Sequence, residues 1–373
     1  MIDSRKYYLF LDGFRGIAVL GVIFGHIFGF FDLHAILGAL FVPFSKLAAV
    51  GTFGVDMFFV ISGFLITGLL LDDLENGKIR IKRFYFRRFL KIIPQYTLTV
   101  IAGLILMLVY HIQGFGQAEN YNPFHNIWIN FVFLQNYYDS IQLPTLAHLW
   151  TIAVEEQFYF IYPLILISIS LLLKGSYQRR VVLTAICIIL LIIGNLCRYD
   201  EISAIFRLKG GTFAFQKTHF HFDGLVFGIL IKLIEPYLYR INGTLKKLFS
   251  FACFIGALAI YLMFIVNGVN VFFWPTFGLA YLAPGLLIIS ALIDESSFIK
   301  YFEENQALRW VGRSSYGIYL WHYILLFFFL ANCKQPILLN VIITYVITTI
   351  LIGFLSTVTV ERYFLSFRSI LDT

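Results

Sequence analysis

The sequence predicts an all-α, polytopic integral membrane protein with about ten transmembrane helices and both termini in the cytoplasm. Three observations support this fold class. Of the 373 residues, 60% are hydrophobic and only 13% are charged, which is too apolar for a soluble domain. Ten apolar runs are long enough to cross about 30 Å of hydrocarbon. The basic residues concentrate in the connecting segments on one side of the membrane.

The predicted spans follow one another without a recognisable repeat, linker or soluble segment. We therefore expect a single transmembrane domain over residues 1–373 with no appended soluble domain. The first run is longer than a signal peptide requires, so we expect it to be retained. The predicted spans are 14–32, 50–71, 93–112, 150–173, 181–197, 219–236, 248–266, 273–293, 314–331 and 336–358.

The distribution of Lys and Arg predicts the orientation of the chain. With a cytoplasmic N-terminus, 22 of the 28 Lys and Arg residues fall on the cytoplasmic side and 6 fall on the other side. This asymmetry follows the positive-inside rule. It accounts for the net charge of +7 without a nucleic-acid partner. The four cysteines lack metal-binding spacing, so we interpret them as packing residues and expect no metal site.

The first span carries an ionisable residue at each end of its apolar run, Arg15 and His26. Their spacing corresponds to three helical turns plus about 20°, so both side chains project from one face, about 16 Å apart. Asp12 precedes Arg15 by one helical turn and is expected to pair with it. A lone buried histidine is often only a packing residue, but the face shared with Arg15 favours a functional role.

The fourth span carries a polar stripe, because His148, Glu155, Tyr159 and Tyr162 recur at helical spacing. Glu155 lies too far inside the span to reach the surface easily. A carboxylate at that depth needs a partner or a proton. Glu156 points about 100° away from this stripe and is expected to face another helix.

The ninth span has a second polar stripe, formed by Ser315, Tyr319 and His322. His322 is expected at a depth comparable to that of His26 and Glu155. Ionisable groups inside a membrane are costly and usually face the interior of a helix bundle. We therefore expect His26, Glu155 and His322 to share a cavity.

Charged residues near two span ends are open to two interpretations. Asp56, near the outer end of the second span, is equally consistent with a hydrated interfacial carboxylate and with a site residue. Arg87, Arg88 and Lys91 follow that span in a basic, aromatic segment. Such a segment is typical of a surface helix attracted to anionic lipid, and the spacing of its three bases also fits a phosphate clamp.

The string HFHFD, from His219 to Asp223, resembles a set of metal ligands. On a helix, however, His219 and His221 diverge by about 200° and cannot bind one ion. We interpret His221 and Asp223 as part of a polar rim at the outer mouth of the cavity.

Six strings together resemble the acyltransferase family 3, whose members are membrane enzymes that O-acylate cell-surface and exported carbohydrates. The resemblance runs from about residue 9 to residue 364. It implies an acyl-CoA donor, usually acetyl-CoA, on the cytoplasmic side and a carbohydrate acceptor on the other side. The strings are FLDGFRGIAVLGVIFGH, GVDMFFVISGFLIT, FRRFLKIIPQY, HLWTIAVEEQFYFIYPL, SSYGIYLWH and VERYF.

The resemblance also implies functional residues. The basic motif that is Arg-x-x-Arg in the family reads Arg88-Phe-Leu-Lys91 here, and lysine keeps the charge but loses the bidentate fork of arginine. By position in the motifs, the functional residues fall on Arg15, His26, Asp56, Glu155, Ser315, Tyr316 and His322.

These arguments predict an O-acetyltransferase of the bacterial inner membrane that transfers acetyl from cytoplasmic acetyl-CoA to a polysaccharide or lipid-linked glycan such as lipopolysaccharide O-antigen. The expected catalytic residues are His26, Glu155, Asp56, Tyr319 and His322. The expected acyl-CoA-binding residues are Arg15, Arg87, Arg88 and Lys91. The expected acceptor-binding residues are His148, Trp150, Tyr159, His221 and Asp223.

In this scheme His26 accepts a proton from the acceptor hydroxyl or is itself acylated. Glu155 or Asp56 orients its imidazole, and Tyr319 or His322 stabilises the oxyanion. The expected partners are membrane lipid, acyl-CoA and a carbohydrate, and a homodimer is left open. Two other classes also fit the sequence: a proton-coupled transporter, and an inactive membrane scaffold that binds lipid or a partner.

Overall fold

The computed structural model consists of helices, turns and irregular segments, with no β-strand in the residues that it describes. The described residues are 7–51, 53–77, 79–110, 124, 127–138, 143–208, 216–267, 280–293, 297–333 and 339–371.

The longer helices of these residues are α1 Leu9–Phe30, α2 Phe41–Gly51, α3 Gly54–Glu75, α4 Ile81–Tyr110, α5 Trp150–Leu172, α6 Ser176–Leu208, α7 Asp223–Leu238, α8 Gly243–Asn267, α9 Leu282–Ile293, α10 Ser297–Glu304, α11 Gln306–Arg313, α12 Ser315–Asn332 and α13 Leu339–Ser356. Short helical segments lie at His34–Leu37, Gly38–Leu40, Trp128–Phe131, Gln135–Tyr137, Pro144–Leu149 and Thr218–His221. A π-helical segment at Thr357–Glu361 leads into Arg362–Leu365 and Ser366–Leu371.

A helix lies at each of the ten predicted spans, which confirms the all-α polytopic membrane fold. Within the described part of the chain, 8 helical stretches are long and apolar enough to cross a membrane. The other two helices, α7 and α9, have 16 and 12 residues and are shorter than the predicted spans 219–236 and 273–293. Residues 273–279 of the latter lie outside the described residues.

One end of the bundle is strongly basic, and we call it the basic end. Arg88 and Lys91 lie there near the start of α4, and Arg15 of α1 lines the same cavity. At the opposite end, Asn332 Nδ2 of α12 donates to Tyr110 Oη of α4 at 2.7 Å. Helices α1, α4 and α12 therefore all run away from the basic end, which is the predicted cytoplasmic side.

Helices α3 and α7 cross in direct backbone contact. A Cβ atom added to Gly63 would lie 1.9 Å from the carbonyl oxygen of Leu225, and one added to Gly228 would lie 2.2 Å from that of Val60. Any side chain at these glycines would force the helices apart, as in other close crossings of membrane helices. This contact fixes the position of α7 in the bundle.

The segment 127–138, between α4 and α5, folds back to the middle of the bundle. Tyr96, halfway along α4, donates to the carbonyl of Asn130 at 2.9 Å. Gln135 Nε2 donates to Tyr96 Oη at 3.1 Å and to the carbonyl of Leu149 at 2.9 Å. Irregular backbone at membrane depth is tolerated only where protein or cavity water surrounds it. Because of this segment, α5 begins beside the middle of α4 and not at the outer edge.

Candidate active site

A cavity of about 230 Å³ lies between α1, α3, α4, α5, α12 and the π-helical segment. We call it the inner cavity. Basic, acidic and hydroxyl side chains line it together with aromatic and aliphatic ones. Its polar lining comprises Arg15, Ser62, Arg88, Lys91, Thr151, Glu155, Tyr159, Arg313, Ser315, Tyr316, Tyr319 and Glu361.

Glu155 is held by hydroxyl groups on the wall of the inner cavity. Ser62 Oγ donates to Glu155 Oε1 at 2.8 Å, and Tyr159 Oη donates to Ser62 Oγ at 2.9 Å. The guanidinium carbon of Arg88 lies 4.4 Å from the centre of the Tyr159 ring. Glu155 and Tyr159 therefore lie level with Arg88, close to the basic end. Tyr159, which was predicted to bind the acceptor, lies among the predicted acyl-CoA-binding residues instead.

Arg15 does not pair with Asp12 as predicted. Arg313 Nε donates to Asp12 Oδ2 at 3.0 Å, and the hydroxyl of Tyr7 donates to the same oxygen. The physical reason is that α11 packs directly on α1 at Gly312, where an added Cβ would lie 1.7 Å from the carbonyl oxygen of Asp12. The carboxylate of Asp12 is thus engaged by Arg313, and Arg15 faces the inner cavity.

Glu361 is an acidic lining residue that the sequence analysis did not assign. It ends the π-helical segment, is 8% exposed, and accepts a hydrogen bond from Gln95 Nε2 at 3.2 Å. It also interacts electrostatically with Lys91. Two carboxylates, Glu155 and Glu361, therefore offset part of the positive charge of Arg15, Arg88 and Lys91 in the inner cavity.

Three histidines from α1, α12 and the segment before α5 meet beyond the inner cavity. The ring centre of His322 lies 5.1 Å from that of His26 and 5.1 Å from that of His148. The Tyr323 ring packs against His26 and His148, with its ring centre 5.1 Å from that of His26 and 4.9 Å from that of His148. We call His26, His148 and His322 the histidine cluster. The expected meeting of His26 and His322 is confirmed, with His148 as a third member.

Hydrogen bonds to main-chain carbonyls fix the tautomer of each ring in the cluster. A carbonyl oxygen can only accept, so the bonded ring nitrogen carries the proton and the other nitrogen carries the lone pair. In the described residues, the second nitrogens of the buried His148 and His322 have no hydrogen-bond partner. The three bonds join His26 Nδ1 to Val22 O at 3.0 Å, His148 Nε2 to Leu320 O at 3.1 Å, and His322 Nδ1 to Tyr319 O.

These bonds correct the predicted orientation of His26. The carbonyl of Val22, and neither Glu155 nor Asp56, accepts the Nδ1 proton of His26, which leaves Nε2 as the basic nitrogen. The prediction that Glu155 lies at the depth of the histidines is also wrong. It assumed that α5 starts at the outer edge of the bundle, whereas α5 starts near the middle.

Tyr319 and Thr151 form the boundary between the inner cavity and the histidine cluster. Tyr319 Oη donates to the carbonyl of His148 at 2.9 Å and accepts from Thr151 Oγ1 at 2.8 Å. Its ring centre lies 5.1 Å from that of His322. Both residues line the inner cavity. The Tyr319 side chain therefore touches the cavity on one side and the histidines on the other.

A separate buried cluster contains several residues that were predicted near the acceptor. Arg198 Nη2 lies 2.6 Å from Asp223 Oδ2, with both side chains almost fully buried, and Asp56 interacts electrostatically with both. The His221 ring packs 4.8 Å from that of Trp150. Because Asp223 pairs with the buried Arg198, His221 and Asp223 lie in the interior and do not form the polar rim that was predicted at the outer mouth of the cavity.

A second cavity, of about 240 Å³, lies at the basic end, and we call it the basic cavity. Arg88 and Lys91 line both cavities. The predicted grouping of Arg87, Arg88 and Lys91 is confirmed, because all three side chains line this cavity. Its complete lining is Leu69, Asp73, Arg83, Phe84, Arg87, Arg88, Lys91, Leu365 and Arg368.

Several lining residues escaped the sequence analysis for identifiable reasons. Ser62 precedes Gly63 in an apolar run, where small residues typically serve helix packing, and Thr151 lies one helical turn before Glu155 without a pattern of its own. Glu361 belongs to the string VERYF. The pair Glu361 and Arg362 at the end of an apolar run is the sequence feature that could have indicated a site residue. Arg368 follows that string and carries no local pattern, because only the folding of the last segment against α4 brings it to the basic cavity.

Comparison with known proteins places this site in a family. The family described as "Acyltransferase domain" matches residues 8–360. Among curated proteins, the peptidoglycan O-acetyltransferase OatA of Listeria monocytogenes serovar 1/2a is 30% identical over 352 residues, covering 86% of this chain and 49% of that protein. The O-acetyltransferase OatA of Staphylococcus aureus strain NCTC 8325 is 29% identical over 336 residues, covering 87% of this chain and 51% of that protein.

This chain thus spans about half the length of the curated relatives it matches. No solved structure matches it. The family match runs from α1 into the π-helical segment and includes the histidine cluster and all of the inner-cavity lining except Glu361. On this match over nearly the whole chain, the protein belongs to the acyltransferase family that this domain defines.

Proposed function

We propose that this protein is a membrane O-acetyltransferase that carries acetyl from acetyl-CoA at the basic end to a hydroxyl group of a cell-surface glycan at the opposite end. The observation that carries the proposal is the inner cavity, which extends from Arg15, Arg88 and Lys91 to Tyr319, beside the histidine cluster. We further propose that the basic end faces the cytoplasm of a bacterial inner membrane, as the positive-inside rule predicts.

In this proposal the basic side chains bind the anionic part of acetyl-CoA. Arg15, Arg87 and Arg88 offer guanidinium groups that bind phosphate in bidentate fashion, and Lys91 adds a point charge. Phosphates do not enter hydrocarbon, so they stay at the basic end. The uncharged pantetheine arm then extends through the inner cavity and brings the thioester to Tyr319.

In the proposed chemical step His26 is the base, and Tyr319 donates a hydrogen bond to the oxyanion. His26 Nε2 accepts the proton of the acceptor hydroxyl while the hydroxyl oxygen attacks the thioester carbon. The carbon–sulfur bond then breaks, and the thiolate of CoA takes up that proton. Tyr319 lines the inner cavity and its ring lies beside His322, so we assign its hydroxyl the hydrogen bond to the oxyanion.

Two glycans are candidates for the acceptor. The relative from Listeria monocytogenes is named for peptidoglycan, whereas lipopolysaccharide O-antigen was the glycan expected from the sequence. We propose that Trp150, which packs against His221 on the α5 side of the histidine cluster, contacts the sugar. Mass spectrometry of peptidoglycan and of O-antigen, from cells with and without the gene, identifies the acceptor as the glycan that gains one acetyl mass per repeating unit.

A test of the reaction itself uses the purified protein in lipid nanodiscs with acetyl-CoA. We expect slow release of free CoA, its loss in His26→Ala, and its retention in the control His34→Ala. His34 is an exposed histidine of the same N-terminal region, 66% exposed and paired with Asp32. Retained release in a folded His26→Ala variant would contradict the assigned base.

The rival function is proton-coupled transport. The Arg, His and Glu side chains of the inner cavity and the histidine cluster lie inside an apolar helix bundle, and intramembrane ionisable groups of this kind are typical of such transporters. The same nanodisc protein, moved into vesicles, separates the two functions. Absence of CoA release together with pH-dependent substrate uptake would reject the acetyltransferase in favour of the transporter.

A further inference from the structure

The hydroxyl group of Tyr319 already donates a hydrogen bond in the structure. A phenol hydroxyl carries one proton and donates one hydrogen bond at a time. Tyr319 Oη donates this proton to the carbonyl oxygen of His148 at 2.9 Å. The proposed hydrogen bond to the oxyanion therefore requires a second donor that takes over the carbonyl oxygen. Without one, a buried acceptor would lose its partner, which costs free energy.

Thr151 lies where this second donor is needed. It is the second residue of α5, and the hydroxyl of a helical threonine can bond the carbonyl oxygen three residues before it. Thr151 Oγ1 lies 3.3 Å from the carbonyl oxygen of His148 and 2.8 Å from Tyr319 Oη. The two hydroxyl oxygens and the carbonyl oxygen thus form a closed triangle of hydrogen-bonding groups.

This triangle lies at the wall of the inner cavity. Thr151 and Tyr319 both line the cavity and are 4% and 6% exposed. Rotation of the two O–H groups changes which of them bonds the carbonyl oxygen of His148. When Thr151 donates to Tyr319, the tyrosine proton stays on that oxygen. When Thr151 donates to the carbonyl oxygen instead, the tyrosine proton is free for a ligand in the cavity.

We propose that Thr151 is a positioning residue for acetyl transfer, because its hydroxyl takes over the carbonyl oxygen of His148 and thereby releases the Tyr319 proton to the oxyanion. This inference rests on the proposed function and adds to it a residue that acts through Tyr319. Only hydrogen-bond partners change in this step. No covalent bond to Thr151 forms or breaks, and the proton of Tyr319 stays on its own oxygen. The exchange reverses when the oxyanion collapses and the carbon–sulfur bond breaks.

Thr151→Val tests this role, because valine lacks the hydroxyl and keeps the branched shape of the side chain. The assay measures initial rates of CoA release from acetyl-CoA in nanodiscs, with water as the acceptor. We expect kcat to fall about tenfold at unchanged KM for acetyl-CoA. This loss is smaller than that expected for Tyr319→Phe, because the tyrosine hydroxyl remains but must leave its carbonyl unpaired. Thr151→Ser keeps a hydroxyl and should restore kcat to within about threefold of the wild-type value.

Two further variants distinguish positioning from packing. Thr151→Val combined with Tyr319→Phe should have the kcat of Tyr319→Phe alone, because Thr151 acts through the tyrosine hydroxyl. Thr67→Val is the matched control and should have the wild-type kcat. Thr67 Oγ1 also donates to a main-chain carbonyl, that of Gly63 at 2.7 Å, and lies 3.0 Å from Tyr162 Oη, but Thr67 lines neither cavity. Multiplied losses in the double variant, or a wild-type kcat in Thr151→Val, would overturn the inference and leave the proposed function intact.

Infrared spectroscopy tests the inference without turnover. The probe is an unreactive analogue of acetyl-CoA in which a methylene group replaces the thioester sulfur and the ketone carbonyl is isotopically labelled. A hydrogen bond from Tyr319 lowers the stretching frequency of this carbonyl, so the frequency should be lower in the wild-type protein and in Thr151→Ser than in Thr151→Val. Equal frequencies in the three proteins would overturn the inference. The expected difference, in a protein that releases no CoA from acetyl-CoA, would support the role of Thr151 and reject the proposed reaction.

Discussion

At the scale of single residues, the site depends on which hydrogen bonds the polar side chains already make. Val22 accepts the Nδ1 proton of His26, so the basic nitrogen is fixed without a carboxylate. Asp12 is occupied by Arg313, so Arg15 faces the inner cavity. Both outcomes follow from the backbone. Val22 lies one helical turn before His26, and α11 packs directly on α1 at Gly312. A sequence pattern gives the spacing of polar groups along a helix but not their partners on other helices.

The prediction at the scale of single residues concerns the hydroxyl group of Tyr319. Tyr319→Phe keeps the ring at the boundary of the two compartments and removes the hydroxyl that we assign to the oxyanion. We expect kcat for acetyl transfer to fall by about 100-fold at unchanged KM, as for loss of an oxyanion donor in other enzymes. Initial rates of CoA release with an acceptor glycan present would measure it.

Tyr85→Phe is the control for this substitution. The hydroxyl of Tyr85 also donates to a main-chain carbonyl, that of Phe160 at 2.7 Å, but Tyr85 lines neither cavity. Its removal should change kcat by less than about threefold, within the effect expected for one ordinary hydrogen bond. Equal losses in both variants would show that Tyr319 acts only through packing.

At the scale of helices, the site is built where regular structure is interrupted. Helix α5 begins beside the middle of α4, after the segment 127–138 has folded back into the bundle. Helix α13 ends in a π-helical segment that positions Glu361. Such irregularities inside a membrane bundle are stable only where protein or cavity polar groups satisfy the backbone, so they coincide with the polar interior.

The crossing of α3 and α7 carries a stability prediction. Gly63→Ala places a methyl group where the carbonyl oxygen of Leu225 would lie 1.9 Å away. We expect a loss of about 1–3 kcal/mol or more in the free energy of unfolding, typical of overpacking. Thermal unfolding of the detergent-purified protein would measure it.

Gly29→Ala is the matched control on α1, because nothing lies within 4 Å of its added Cβ atom. This variant should be neutral or slightly stabilised, since alanine is favoured over glycine in helices by up to about 1 kcal/mol. A Gly63→Ala protein as stable as the Gly29→Ala protein would contradict the close crossing.

At the scale of the whole molecule, the bundle separates charge along its length. The bases of α4 and Arg368 gather at one end, the histidine cluster lies further in, and Asn332 and Tyr110 mark the opposite end. This gradient suits a reaction whose acyl donor is anionic and whose acceptor arrives from the other side. It is also the pattern that the positive-inside rule uses to orient a chain.

The orientation has its own test, with single cysteines in a background where the four native cysteines are serine. A membrane-impermeant maleimide should label Asn332→Cys in intact spheroplasts. It should label Glu75→Cys, at the basic end of α3 and beside Arg180, only after permeabilisation. The reverse pattern would place the basic end outside and refute the proposed delivery of acetyl-CoA from the cytoplasm.

The sequence by itself determined the fold class, the positions of the spanning helices and the grouping of Arg87, Arg88 and Lys91. These features depend on hydrophobic run length and local helical spacing, which are properties of a contiguous segment. Only the tertiary structure placed His148 beside His26 and His322, moved Glu155 to the basic end, and brought Glu361 and Arg368 to the two cavities. The physical reason is that packing between distant helices, and the re-entrant segment that shifts the start of α5, set depth and partners in the bundle. Neither leaves a periodic signal in the chain.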